Sequence, residues 1–199
     1  MTISAVVLAA GLSSRFGNSN KLLADVGGRP IIAGVLGAVS GSKVQEIVLV
    51  TGRDEGRMLA AAGPGRWRHI SNPEPGMGMS SSIRVGLSAL SDNARGALIV
   101  LGDMPSVSSA LIDRLIAAFE AKAGEAIVYP VSPEGRQGHP VLWPAALFPE
   151  LKTLTGDSGA KALFSKYASL IMPVPVSGNA AFLDIDTVED LKSKISERD

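Results

Sequence analysis

Arg15 and Lys21 stand six positions apart in the segment LAAGLSSRFGNSNK, residues 8–21, which is otherwise built of small and polar side chains. A guanidinium offers a planar fork of donors, and an ammonium is a compact point charge. Both suit phosphate oxygens. Ala9, Ala10, Gly11, Ser13 and Ser14 are small enough to let backbone N–H groups approach an anion closely. Gly11 is followed by five residues, Gly17 and then Asn18, so neither the Gly-x4-Gly-Lys-Ser/Thr loop nor the Gly-x-Gly-x-x-Gly turn is met. By residue type alone the segment is an anion cradle, or a strand-to-helix turn with two surface cations.

Two aspartates could supply the countercharge. Asp103 lies in LGDMP and Asp186 in LDIDT, each just beyond an apolar run. Magnesium takes oxygen ligands, with one or two carboxylates and substrate phosphates completing its octahedron. Asp184 rivals Asp186 by position, and both sites also read as a turn residue or a helix cap. Three further segments carry polar groups. Asn72 to Ser82 (NPEPGMGMSSS) joins glycines to serines that include Ser81, near the start of a helix, where N–H groups favour anions. Gly135 to Val141 (GRQGHPV) holds Arg136 and His139, of which a histidine before proline serves as well in structure as in binding. Gly156 to Lys161 (GDSGAK) places Asp157 where it caps a helix or meets a ligand.

Apolar runs bounded by turn residues recur at Ser4–Ala9, Ile47–Val50, Ala97–Leu101, Ala126–Pro130 and Leu170–Val174. Such short runs suit parallel strands covered on both faces. Helical patterns lie between them: Pro30 to Val39, Asp54 to Ala62, Ser80 to Leu90, Ser108 to Ala121 with Ser109 as cap, and Thr187 to Ile195. The alternation implies a single three-layer α/β/α domain over residues 1–199, Rossmann-like and doubly wound, with a mostly parallel sheet. Residues Pro130 to Pro149 read as an inserted excursion. Ligands of such sheets sit beyond the carboxyl ends of strands, here after Ala9, Ile70, Leu101 and Leu183.

Composition excludes several classes. The 199 residues include no cysteine and two histidines, which removes thiolate metal sites, disulfides and cysteine nucleophiles. Lysine plus arginine equals aspartate plus glutamate at 19 each, and aromatics are 5%, so no nucleic-acid partner is expected. The apolar start lacks a basic flank and no run is long enough to span a bilayer. A soluble, cytoplasmic protein without a membrane partner is expected.

The ordered motifs carry a resemblance. LAAG-x-S-S-R-F-G-x-x-N-K is similar to the signature of the molybdenum cofactor nucleotidyltransferases, with Phe16 where methionine is usual. LGDMP resembles that family's metal-binding motif, and LDIDTVEDL its late D-x-D-T-x-E-D-L segment, with Val188 where proline is common. N-x-x-x-G-M-x-x-S-x-x-x-G-L, R-x-G-H-P-V and G-D-x-G-x-K complete the set from Leu8 to Leu191. The resemblance implies a nucleotide-diphospho-sugar transferase type of fold and a magnesium-dependent enzyme. It implies that Leu8, Ala9, Ala10, Gly11, Ser13, Ser14, Arg15, Lys21, Asn72 and Ser81 bind the nucleotide, with Lys21 and Arg15 catalytic. Asp103 and Asp186 would hold Mg²⁺, and Arg136, His139 and Asp157 would meet the acceptor. In that family LAAG goes with cytidylyl and LAGG with guanylyl transfer, so CTP is expected before GTP. The acceptor implied is molybdopterin-type, with a molybdoenzyme or its maturation chaperone receiving the product. Transfer to another phosphorylated small molecule, such as a sugar phosphate, and a non-catalytic cofactor carrier are the alternatives.

Overall fold

A computed structural model describes residues 1–11, 20–156 and 160–184. Seven strands form one sheet: β1 (Ile3–Ala9), β2 (Glu46–Thr51), β3 (Arg68–Ser71), β4 (Gly96–Leu101), β5 (Ile127–Val131), β6 (Val141–Pro144) and β7 (Ile171–Pro175). Their order is β3-β2-β1-β4-β6-β5-β7. All neighbours run parallel except those of β6, which is antiparallel to both β4 and β5.

The period-two geometry of a strand explains the layers. On β1, Ile3, Ala5, Val7 and Ala9 enter one buried cluster, whereas Val6 and Ala10 enter another. Ile47 and Leu49 of β2 and Leu98 and Val100 of β4 join the first; Val48, Val50, Ala97 and Ile99 join the second. The first cluster is roofed by α1 (Ile31–Ser40), α2 (Glu55–Ala62) and α4 (Ser109–Ala121), through residues such as Val35, Met58 and Leu115. The second is covered by α3 (Met79–Ser88), α5 (Phe148–Thr153) and α6 (Lys161–Lys166), through Ile83, Leu87, Leu151 and Leu163. An apolar strand with both faces buried is the consequence, and it is the reason the central runs carry no polar alternation.

Helix α3 lies close to the sheet because residue 86 has no side chain. A Cβ there would fall 2.2 Å from Val6 Cγ1 and 3.0 Å from Val50 Cγ2. That approach aims the N-terminus of α3 at the carboxyl ends of the strands.

The expected strands match those observed to within a residue at each end, but three expectations change. Ser108, not Ser109, caps α4: its side chain accepts from Leu111 N at 3.2 Å. Pro30 sits at the cap position of α1, one residue before the helix starts. The excursion Pro130 to Pro149 contains β6, whose four residues are all buried. Four residues are too few to show a period, and flanking prolines argue against a strand by composition. The strand survives because Trp143 is buried against Phe164, ring centroids 5.2 Å apart and edge to face. The expected helix Thr187 to Ile195 lies outside the described residues.

Candidate active site

The first strand ends in Ala9-Ala10-Gly11, and β4, its neighbour, ends in Leu101-Gly102-Asp103. Gly102 N donates to the Leu8 carbonyl at 3.0 Å, and a Cβ on Gly102 would lie 2.7 Å from that same oxygen. Only glycine lets β4 turn this tightly over β1. The turn sets Asp103 beside the start of the loop.

Lys21 arrives from the other end of the loop. It opens a single 3-10 turn, Lys21–Leu23, capped by Asn20, whose side chain accepts from Leu22 N. Leu22 is buried in the core and anchors the turn. Lys21 Nζ then lies 2.7 Å from Asp103 Oδ2, with side-chain exposures of 16% and 19%. The other carboxylate oxygen, Asp103 Oδ1, is buried and makes no hydrogen bond among the described residues.

The opposite wall is the segment between β3 and α3. Gly78 has φ 88°, a conformation that L side chains rarely adopt, and it lets the chain enter α3 sharply. Asn72 is buried and clamps the segment. Its Nδ2 donates to Ser81 Oγ at 2.8 Å and Ser82 Oγ at 3.0 Å, and its Oδ1 accepts from Glu74 N at 3.0 Å. Ser81 Oγ is 2.8 Å from the Gly78 carbonyl. Gly156 joins the same corner, accepting from Ser80 N at 3.2 Å. Met77 and Met79 stay 62% and 38% exposed on the lip.

A cavity of about 340 Å³ lies between these walls, lined by Leu8, Ala10, Gly11, Lys21, Asp103 and Ser82, with Pro75, Gly76, Gly78 and Met79 on the lip side. It therefore collects the carboxyl ends of β1 and β4 and the segment that follows β3, as expected of an open α/β sheet. Ala9 points to the other face, where it lines a second cavity of about 320 Å³ with Asn20, Arg53 and Asp54. Asn72 and Ser81 stand behind the wall and hold its shape, and Ser82 is the serine that lines the cavity. Nothing in sequence separated Ser82 from Ser80 and Ser81. Gly102 was equally silent, although its place between an apolar strand and an aspartate is a usable signal.

Arg136 and His139 lie elsewhere. Arg136 Nη2 donates to the Phe182 carbonyl at 2.9 Å, with its guanidinium 5.6 Å from the Phe182 ring centroid. His139 N donates to the Ala181 carbonyl at 2.9 Å, and a Cβ on Gly138 would lie 2.4 Å from that oxygen. The GRQGHPV segment thus clasps the chain just before Asp184, which is exposed. Ser13, Ser14, Arg15, Asp157 and Asp186 lie outside the described residues.

A seven-stranded sheet of this order, flanked by helices on both faces, is the nucleotide-diphospho-sugar transferase type of fold. Residues 5–170 match the MobA-like NTP transferase domain, and the chain belongs to that family. Among curated relatives, nicotine blue oxidoreductase of Paenarthrobacter nicotinovorans is 28% identical over 193 residues, 95% of this chain and 94% of its own length. CMP-5'-(3-aminopropyl)phosphonate synthase of Streptomyces rubellomurinus is 39% identical over 131 residues, 61% of this chain but only 20% of that protein. Rv0371c of Mycobacterium tuberculosis superposes with a TM-score of 0.86 at 26% identity, covering 98% of both chains. A manganese complex of that protein superposes with a TM-score of 0.81. No described helix is long and apolar enough to cross a membrane.

Proposed function

We propose that this chain transfers CMP from CTP to the terminal phosphate of a molybdopterin-type acceptor, releasing pyrophosphate, in the cytoplasm. The observation that carries the reading is the cavity where Lys21 and Asp103 meet at the carboxyl ends of β1 and β4. An oxygen of the acceptor phosphate attacks the α-phosphorus in line. The bond to the bridging oxygen of the β-phosphate breaks, and pyrophosphate departs with the electron pair. A phosphate monoester is already an anionic nucleophile near neutral pH, so no strong general base is required.

Positioning and charge stabilisation then supply the rate. Lys21 turns from Asp103 to the phosphates and balances charge developing around the α-phosphorus. By their residue types, the small residues of the loop and Arg15 are assigned to the β and γ phosphates. A divalent cation fits this corner, since Asp103 Oδ1 is a buried carboxylate oxygen with no partner among the described residues. Mg²⁺, held by Asp103 and Asp186, would supply Lewis-acid polarisation of the phosphates. Asn72 and Ser81 keep the facing wall in shape, Ser82 meets the nucleotide, and Arg136, His139 and Asp157 serve the acceptor side.

Cytidine is favoured by the Ala9-Ala10 step, since Ala10 lines the cavity and its methyl narrows the space for a base edge. The Streptomyces relative, named for a CMP product, accords with it. A second reading has one support: the relative aligned over 94% of its length is named an oxidoreductase. One assay separates them. With CTP, Mg²⁺ and molybdopterin, repeated pyrophosphate release supports transfer, and stabilisation by GTP but not CTP reverses the base assignment. Redox turnover of nicotine blue with a supplied electron donor, without pyrophosphate release, establishes the second reading, and cofactor binding without either reaction leaves a carrier.

A further inference from the structure

Asp54 occupies the cap position of α2 yet makes no side-chain hydrogen bond to that helix. Its Oδ2 instead accepts from Asn20 Nδ2 at 3.3 Å, across 34 residues of chain. The other end of the Asn20 amide, Oδ1, accepts from Leu22 N at 3.1 Å, and the Asn20 carbonyl accepts from Leu23 N at 3.0 Å. Asn20 is therefore held on both sides, by the turn it caps and by the residue that opens α2. The next residue is Lys21.

We propose that Asn20 and Asp54 are a positioning pair that sets where the Lys21 ammonium stands relative to Asp103 and the substrate phosphates. The inference rests on the nucleotidyl-transfer reading and deepens it. A lysine has a long, flexible stem, so its reach is governed by where its backbone is fixed. Lys21 sits on a single 3-10 turn with no longer helix behind it. The buried Leu22 anchors that turn from below, and the Asn20–Asp54 contact fixes its entry. At 3.3 Å the contact is a long hydrogen bond, which a neutral amide oxygen at residue 54 can accept as well as the carboxylate does.

The brace reaches both flanks of the loop. Gly52, two residues before Asp54, packs on β1: a Cβ there would lie 3.0 Å from the Ala10 carbonyl. Gly11, Asn20 and Asp54 line one common cavity. The β2–α2 turn is thus the common wall against which the loop leaves β1 and returns at Lys21. Displacing the return by an ångström is the kind of error that costs ~10²-fold in rate.

The test compares D54A, N20D, D54N and the paired exchange N20D with D54N. Asp54 is exposed, so D54A leaves the core intact and folding is checked by melting. N20D sets two carboxylates against each other, D54N keeps an acceptor, and the exchange restores one donor and one acceptor with their places reversed. With CTP, Mg²⁺ and acceptor, D54A and N20D are expected to lower kcat by about tenfold or more at unchanged melting temperature. D54N stays near wild type and the exchange recovers most of what N20D loses. Affinity for inorganic pyrophosphate, read by calorimetry, weakens in D54A independently of any acceptor. Unchanged kcat and pyrophosphate affinity in D54A, or an exchange no better than N20D alone, overturns the pair. A wild-type chain that never turns over, while D54A still weakens pyrophosphate binding, overturns the transfer reading and upholds the pair.

Discussion

Lys21 Nζ and Asp103 Oδ2 are 2.7 Å apart, joining the return of the first loop to the end of the fourth strand. The two residues lie 82 positions apart in sequence. In the protein without nucleotide each is the other's counterion. In the proposed reaction an entering polyphosphate would give the lysine a more highly charged partner and free the carboxylate for a cation. The pair is partly exposed, so its own contribution to stability is small, within the ~0–1 kcal/mol of such ion pairs.

D103N therefore separates binding chemistry from folding. It is expected to abolish stabilisation by Mn²⁺ plus CTP in a thermal-shift assay while the ligand-free melting temperature changes little. Retention of the wild-type shift would remove Asp103 from the metal site.

Gly102→Ala tests the tight turn. The new methyl would stand 2.7 Å from the Leu8 carbonyl, a backbone atom that cannot swing away. Overpacking of this kind costs ~1–3 kcal/mol, read as a lower urea midpoint. Because the strain falls between Leu101 and Asp103, kcat falls as well; a variant with native stability and rate would show that the turn has slack.

Glu46 gives a pH dependence. Burial raises its pKa, but hydrogen bonds from Ser4, Arg68 and Ser91 outweigh that effect and hold it below the usual 4.5. A folded-state pKa below the unfolded one adds stability that is complete above the unfolded value and is lost as pH falls through the folded value. Stability measured by urea should thus decline below about pH 4.5, and E46Q should flatten that acid limb while lowering the plateau. Parallel acid limbs in the two proteins would assign the decline to other groups.

Met77 and Met79 are exposed on the segment Pro75 to Met79, whose Pro75, Gly76, Gly78 and Met79 line the cavity and which carries no charged side chain. Thioethers adapt to flat, polarisable faces. The pair M77S with M79S is expected to raise the KM for a pterin acceptor with little change in that for CTP or in melting temperature. An acceptor KM that does not move places the acceptor elsewhere.

The sheet was legible because its central strands are buried on both faces and bounded by turn residues, so that Ser4–Ala9 and Ala97–Leu101 stand out without any period. Strand β6 was not, since Val141–Pro144 is four residues that follow one proline and end in another, and it is held by Trp143 through contacts far along the chain. Lys21 and Asp103 could be named separately from residue type and position. Their contact depends on Gly102 and on the β1–β4 pairing, which no local pattern encodes. Both serine hydroxyls accept from Asn72, and that Ser82 is the one lining the cavity likewise depends on how closely α3 is seated on the sheet at Gly86.

Label transfer from CTP carrying a radioactive α-phosphate tests the central claim most directly. With Mg²⁺ and molybdopterin, the wild-type chain should move the label into a cytosine dinucleotide product, and Lys21→Ala should slow that step by ~10²–10³ at saturating CTP. Label that stays in CTP or appears only as free CMP, or a Lys21→Ala variant as fast as wild type, would contradict it.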